Sequence, residues 1–178
     1  MTTPASEATA GATVFIGLGA NLGDARATLS DALCALQALA APGSLETSSL
    51  YASAPVDSSG PDYVNAAARL RTALAPHALL DALQAIEQRF GRERPYRNAP
   101  RTLDLDILLF GVEGDAGGVV LHDARLTLPH PRAAQRTFVL EPLAELWPRG
   151  EIPGAGQVAD LLAQARRDPA QRVQRLAS

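Results

Sequence analysis

A chain of 178 residues with 47% hydrophobic and 20% charged residues and a formal net charge of -3 has the make-up of a soluble globular chain with one core, and no apolar run in it approaches a membrane span. Mild acidity argues against a general nucleic-acid surface, and the first residues lack the basic start and apolar stretch of a signal peptide, so a cytoplasmic protein with neither nucleic-acid nor membrane partner is expected. All sixteen basic residues are arginine, which removes the phosphate-binding lysine of P-loop and protein-kinase sites along with Schiff-base chemistry; any phosphate must be held by arginine, backbone or metal.

Residues 1–12 are rich in Ala, Thr, Ser and Gly without periodicity and are expected to be a disordered lead-in to a single domain over 13–166. Thr13 to Leu18 reads as a buried strand ending in a glycine-rich turn. Its glycines at 17, 19 and 23 are spaced one residue too widely for a dinucleotide fingerprint, so a tight strand-to-helix turn capped by Asp24 is the reading. Ala25 to Ala40 is helical on the spacing of Leu29, Leu33, Leu36 and Ala40, and Pro42-Gly43 stops it. The lone Cys34 has no partner for a disulfide or a Cys-pair metal site and reads as a small hydrophobe on that helix.

Leu45 to Ala54 is rich in strand formers, and a loop from Pro55 to Pro61 leads to a second strand, Tyr63 to Leu70, in which Tyr63, Asn65 and Ala67 share a face. Pro76 opens a helix with an apolar stripe of Leu79, Leu83, Ile86 and Phe90, on which Gln84 and Glu87 lie close enough to act together. Residues 89–101 then carry Arg89, Arg92, Arg94, Arg97 and Arg101 against a single acid, Glu93, in a loop marked by Gly91, Pro95 and Pro100.

That cationic loop feeds into Thr102 to Phe110, a strand with Asp104 and Asp106 on one face and Leu103, Leu105, Ile107 and Leu109 on the other. Carboxylates so placed suit a hard cation such as Mg²⁺, and arginines beside them suit the phosphates it bridges, which suggests nucleotide chemistry. The competing reading is plain neutralisation of both acids by Arg97 and Arg101 at a sheet edge. Short strands follow at 119–121 and 125–128 after a glycine-rich hairpin over 111–118. A break at Pro129-His130-Pro131 precedes an amphipathic helix from Thr137 to Leu146, then a short helix from Val158 to Ala165 and a polar, frayed tail over 167–178. His77 and His122 fit no motif and read as surface residues.

The order strand, helix, strand, strand, helix, strand defines an α+β, ferredoxin-like βαββαβ sandwich with additional C-terminal strands and helices. Both framework helices cover one face of such a sheet. The other is expected to be free for a ligand and to present Tyr63, Asn65, Asp104 and Asp106.

Pro100-Arg101-Thr102-Leu103-Asp104-Leu105-Asp106-Ile107, preceded by Pro61-Asp62-Tyr63-Val64-Asn65-Ala66 and followed by Leu128-Pro129-His130-Pro131 and Arg136-Thr137-Phe138, closely resembles the 6-hydroxymethyl-7,8-dihydropterin pyrophosphokinase family of folate biosynthesis, from about Phe15 to Trp147. The resemblance implies transfer of a diphosphate from ATP to the pterin's hydroxymethyl oxygen, release of AMP and two bound Mg²⁺ ions, in a monomer. It further implies Asp104 and Asp106 as metal ligands, and Ser53, Pro55, Val56, Tyr63, Asn65 and Phe138 around the pterin. On the ATP side it implies Gln84, Glu87, Arg94, Arg101, Ile107, Arg125, Thr127, His130 and Arg136, with Arg92, Arg94 and Asp106 as catalytic groups. Where some members carry tryptophan ahead of Pro100, this chain has Asn98, and Ser53 leads a segment that threonine more often leads. A nucleotide-sensing module and a kinase moving one phosphoryl group are the alternatives, and the nucleotide product distinguishes them: AMP for the pyrophosphokinase, ADP for a one-group kinase, neither for a sensor.

Overall fold

The central strand, β1 (Ala12–Ala20), pairs antiparallel with β4 (Tyr63–Thr72) on one side and with β5 (Asp104–Phe110) on the other. A computed structural model describes residues 11–55, 60–91, 102–112 and 117–178. The strand former-rich stretch after the first helix is split into β2 (Glu46–Thr47) and β3 (Tyr51–Ser53), both paired with β4. Between them Ser48 keeps the ladder closed, its N–H donating to the Ala67 carbonyl and its hydroxyl accepting from the Ala67 N–H, at 2.9 Å each. The framework order β3-β4-β1-β5, all antiparallel, is the ferredoxin-like arrangement expected.

Helices α1 (Ala25–Leu36) and α2 (Pro76–Arg89) cover one face. Asp24 caps α1 by accepting the Ala27 N–H at 3.0 Å, as the turn chemistry predicts, and Pro76 opens α2. Leu29, Ala32 and Leu36 of α1 and Leu79, Leu83 and Ile86 of α2 bury against Val14, Ile16, Leu18, Ala66, Ala68, Leu70, Leu105 and Ile107. Each large aliphatic side chain fully withdrawn from water here contributes roughly 1.5–3 kcal/mol. Cys34 lies on α1 as expected but on its exposed side, outside this packing.

The face opposite α1 and α2 is only partly open, which corrects the expectation of a free ligand face. Helices α3 (Thr137–Leu146) and α4 (Val158–Ala165) close over one end of it, where Phe15, Leu108 and Leu109 pack against Val139, Leu140, Leu143, Val158 and Leu162. Phe15 stacks on Trp147 with ring centroids 5.0 Å apart. Leu108 and Leu109 both serve this cluster because β5 has an irregularity there: Phe15 pairs with Leu109 but Ile16 with Ile107, leaving Leu108 as the extra residue of a β-bulge. Strict alternation, which put Leu109 with Leu105 and Ile107, therefore fails past Ile107.

The strands β6 (Leu121–His122) and β7 (Thr127–Leu128) form a separate hairpin, as do β8 (Glu151–Ile152) and β9 (Gly156–Gln157). The C-terminal tail is not frayed. After Asp168 caps a short turn over Pro169–Gln171, β10 (Val173–Arg175) adds an edge strand to β3, pairing Val173 with Ser53 and Arg175 with Tyr51. The polar composition that suggested fraying belongs to an edge strand, whose outer side is solvated.

Candidate active site

The site is built from glycines as much as from functional groups. Across the sheet, Arg175, Tyr51, Asn65, Gly19 and Asp104 form one row on the face opposite α1 and α2, and Ala67, Gly17 and Asp106 form the next row of the inner strands. A methyl on Gly19 would sit 3.3 Å from Asn65 Oδ1 and 3.8 Å from Tyr63 Cδ1, and one on Gly17 would sit 3.2 Å from Leu108. The bare backbone at Gly19 thus leaves a floor between the Asn65 amide and the Asp104 carboxylate. Gly17 lies in the strand as expected, whereas Gly19, read in the sequence as the start of the turn, is a strand residue too; its two-residue spacing from Gly17 inside a strand pattern was the available signal.

Asn65 is 4% exposed and fixed: its Nδ2 donates to Ser53 Oγ at 2.8 Å and approaches the Tyr51 carbonyl at 3.5 Å. Tyr63 is half-buried beside it and pairs across the ladder with Ser53, so Ser53, Tyr63 and Asn65 are neighbours. Pro55 follows β3 and is half-buried. Asp104 and Asp106 are half-buried on one face of β5, two residues and so roughly 7 Å apart along the strand. His130 is tied to β5 by its N–H, which donates to the carbonyl of the bulge residue Leu108 at 2.9 Å. Burial and the Arg136 guanidinium hold His130 below its ordinary pKa, with Asp104 pulling the other way; its Nδ1 accepts the Arg132 N–H at 3.2 Å, which fixes the neutral ring with its proton on Nε2. Arg136 lies over the Phe138 ring, 5.4 Å from its centroid, at the start of α3.

Other expected residues are placed differently. Glu87 is 2% exposed and accepts the Leu105 N–H at 2.9 Å, so it anchors α2 to the outer edge of β5. The Ile107 side chain lies in the core with α1 and α2, 3% exposed, and only its backbone, directed like that of Leu105 to the outer edge, is available to a nucleotide. Arg125 is exposed and paired with Asp81 on α2, a carboxylate with which any phosphate would compete. Gln84 is half-buried on α2, and the Thr127 hydroxyl meets His122 Nδ1 at 3.1 Å. His77 pairs with Asp123 at 2.7 Å, so both unassigned histidines have structural partners. Val56, Arg92, Arg94, Asn98, Arg101 and the centre of the predicted glycine-rich hairpin lie outside the described residues.

The donor set suits Mg²⁺. Among the described residues no cluster of three or more His, Cys, Asp or Glu side chains forms a metal cage, and a carboxylate pair alone leaves coordination positions for phosphate oxygens and water, as Mg²⁺ prefers. No described helix is long and apolar enough to cross a membrane.

The open end of this ferredoxin-like sheet thus brings together paired carboxylates, a fixed amide and an arginine over an aromatic ring. Residues 15–148 match the family model for 7,8-dihydro-6-hydroxymethylpterin-pyrophosphokinase (HPPK), and the chain belongs to that family. It is 44% identical over 151 residues to the 2-amino-4-hydroxy-6-hydroxymethyldihydropteridine pyrophosphokinase of Pseudomonas aeruginosa, covering 84% of this chain and 90% of that one. With the enzyme of the same name from Haemophilus influenzae it shares 41% over 153 residues, covering 85% and 92%. As a member of this family it is an ATP-dependent pyrophosphokinase of folate biosynthesis that acts on hydroxymethyldihydropterin. The fold matches the HPPK-DHPS of Plasmodium falciparum, solved with pterin and p-hydroxybenzoate, at a TM-score of 0.68 and 15% identity; 96% of this chain is covered but only 46% of that longer one.

Proposed function

We propose that the open end of the sheet binds the pterin at Asn65 and ATP at Asp104 and Asp106, and moves a diphosphate between them with AMP as the leaving group. The observation that carries this is the row Asn65, Gly19, Asp104: two strand spacings, roughly 10 Å, separate the strands that carry the amide and the carboxylate, and the strand between them presents no side chain of its own at Gly19. That span suits a bicyclic ring and its hydroxymethyl arm.

Asn65, its Nδ2 held by Ser53 and the Tyr51 carbonyl, reads the heterocycle edge with its amide oxygen, while Tyr63 and Phe138 stack on the faces of the ring; Ser53, Pro55 and Val56 line its rim. Asp104 and Asp106 would hold two Mg²⁺ ions, which when bound neutralise polyphosphate charge and polarise the phosphoryl oxygens. The pterin hydroxyl oxygen attacks the β-phosphorus, the bond from that phosphorus to the oxygen bridging it to the α-phosphate breaks, and AMP leaves with the bridging oxygen. Asp106 assists departure of the hydroxyl proton. Arg136, Arg92 and Arg94 take up charge on the transferred group and on AMP, where a donor aimed at developing charge is worth about 3 kcal/mol. His130, neutral with its proton on Nε2, donates to a phosphate oxygen. Gln84, Arg101, Arg125, Thr127 and the Ile107 backbone complete the nucleotide side, with Glu87 holding the β5 edge they approach. The enzyme is proposed to work as a cytoplasmic monomer.

Incubation with ATP, Mg²⁺ and 6-hydroxymethyl-7,8-dihydropterin, followed by nucleotide chromatography, is expected to give AMP and pterin diphosphate in equal amounts. ADP without AMP would replace this reading with a one-group kinase.

A further inference from the structure

The tail segment from Asp168 to Arg175 touches both walls of the proposed pterin site. On one side β10 pairs with β3, setting Val173 opposite Ser53, the hydroxyl that holds Asn65. On the other, Gln171 reaches α3. That helix has no side-chain cap of its own, because its N-cap residue is Arg136; instead Gln171 Oε1 accepts the Thr137 N–H at 3.0 Å, a cap supplied from 34 residues downstream. Gln171 is itself held, its Nε2 donating to Asp168 Oδ2 at 3.3 Å and its N–H to the Asp168 carbonyl at 3.0 Å. Thr137 is 2% exposed and flanked in sequence by Arg136 and Phe138, so the Gln171 bond clamps the turn from which the arginine and the aromatic ring project.

We propose that Gln171 is a positioning residue for the pterin: by bracing the first turn of α3 against the strand that carries Ser53, it sets the gap between Phe138 and Asn65. This rests on the reading of Phe138 and Asn65 as pterin contacts. A cap that only stabilised α3 would show in melting temperature alone. A cap that sets the gap shows in pterin affinity.

The experiment compares the wild type with Gln171→Met, which keeps the length of the side chain but loses the acceptor, and with Gln171→Glu made together with Asp168→Asn, which keeps an oxygen for the Thr137 N–H and a donor to hold it from residue 168. For each, KM for the pterin, KM for ATP, kcat and melting temperature are measured. Gln171→Met is expected to raise the pterin KM about tenfold, the scale of one lost hydrogen bond, with the ATP KM within about twofold, and Gln171→Glu with Asp168→Asn is expected to restore most of the pterin KM. A lower melting temperature with an unchanged pterin KM in Gln171→Met overturns the proposal, as does an equal loss in both variants. Failure of the wild type itself to form AMP would instead fail the assignment of the reaction, so the two outcomes are distinguishable.

Discussion

At the residue scale the least conspicuous positions carry the most. Gly19 has an ordinary strand backbone, so alanine is conformationally permitted there, yet its methyl would meet Asn65 Oδ1 at 3.3 Å, tighter than ordinary contact. Asn65 cannot yield easily, because Ser53 and the buried surroundings hold it. Gly19→Ala is therefore expected to raise the pterin KM about tenfold by displacing an amide that reads the ring, with little change in thermal stability. Gly17→Ala is the control, since its methyl meets only the flexible end of Leu108 and the cost is repacking. Steady-state kinetics on the two variants decide it: equal effects on the pterin KM would mean that the glycines serve the sheet and not the amide.

At the element scale, α3 is docked by charge as well as by apolar packing. Glu145 accepts from Tyr51 Oη at 2.6 Å and from the Ser49 N–H and hydroxyl at 3.0 and 2.9 Å, and Arg175 of β10 approaches it at 3.6 Å. Partial burial alone would raise the pKa of Glu145, but those hydrogen bonds and Arg175 outweigh it and hold the carboxyl below its ordinary value of 4.5; burial and the same bond push Tyr51 up. A carboxylate with a depressed folded pKa stabilises the fold fully above its unfolded pKa, and that contribution is lost as pH falls through the folded value. Glu145→Gln keeps an acceptor for Tyr51 but removes the charge. The gap in urea midpoint between wild type and Glu145→Gln is thus expected to be largest at neutral pH and to shrink on acidification below pH 4.5. A gap that does not change with pH would mean that neither the ion pair nor the hydrogen bonds favour the charged carboxylate in the folded protein.

At the scale of the whole molecule, charge is unevenly spread: the chain carries a net charge of -3, while residues 89–101 hold five arginines and one glutamate. On the proposed reading Arg92 and Arg94 act on charge that develops as the diphosphate is transferred, more than on ATP in its ground state. Arg92→Ala and Arg94→Ala should each lower the single-turnover rate about a hundredfold or more, while weakening ATP binding in the absence of pterin far less. Single-turnover kinetics and ATP titration of each variant test this. Equal losses in rate and affinity would reduce the arginines to ground-state binders of ATP.

The framework was legible in local pattern alone. Periodicity placed α2, α3 and α4 to the residue or nearly so, because an amphipathic stripe bounded by proline or glycine is a local property. Alternation put Asp104 beside Asp106 and Tyr63 beside Asn65 for the same reason. What depends on contacts distant in sequence was decided only by the tertiary structure. The bulge at Leu108 arises from pairing between β1 and β5, the burial of Glu87 from its bond to a strand edge, and the partial cover of the ligand face from the docking of α3 and α4. The tail was illegible for the same cause. Three polar-flanked residues have no pattern of their own, and Val173–Arg175 becomes a strand only because β3 offers an unpaired edge for it to complete.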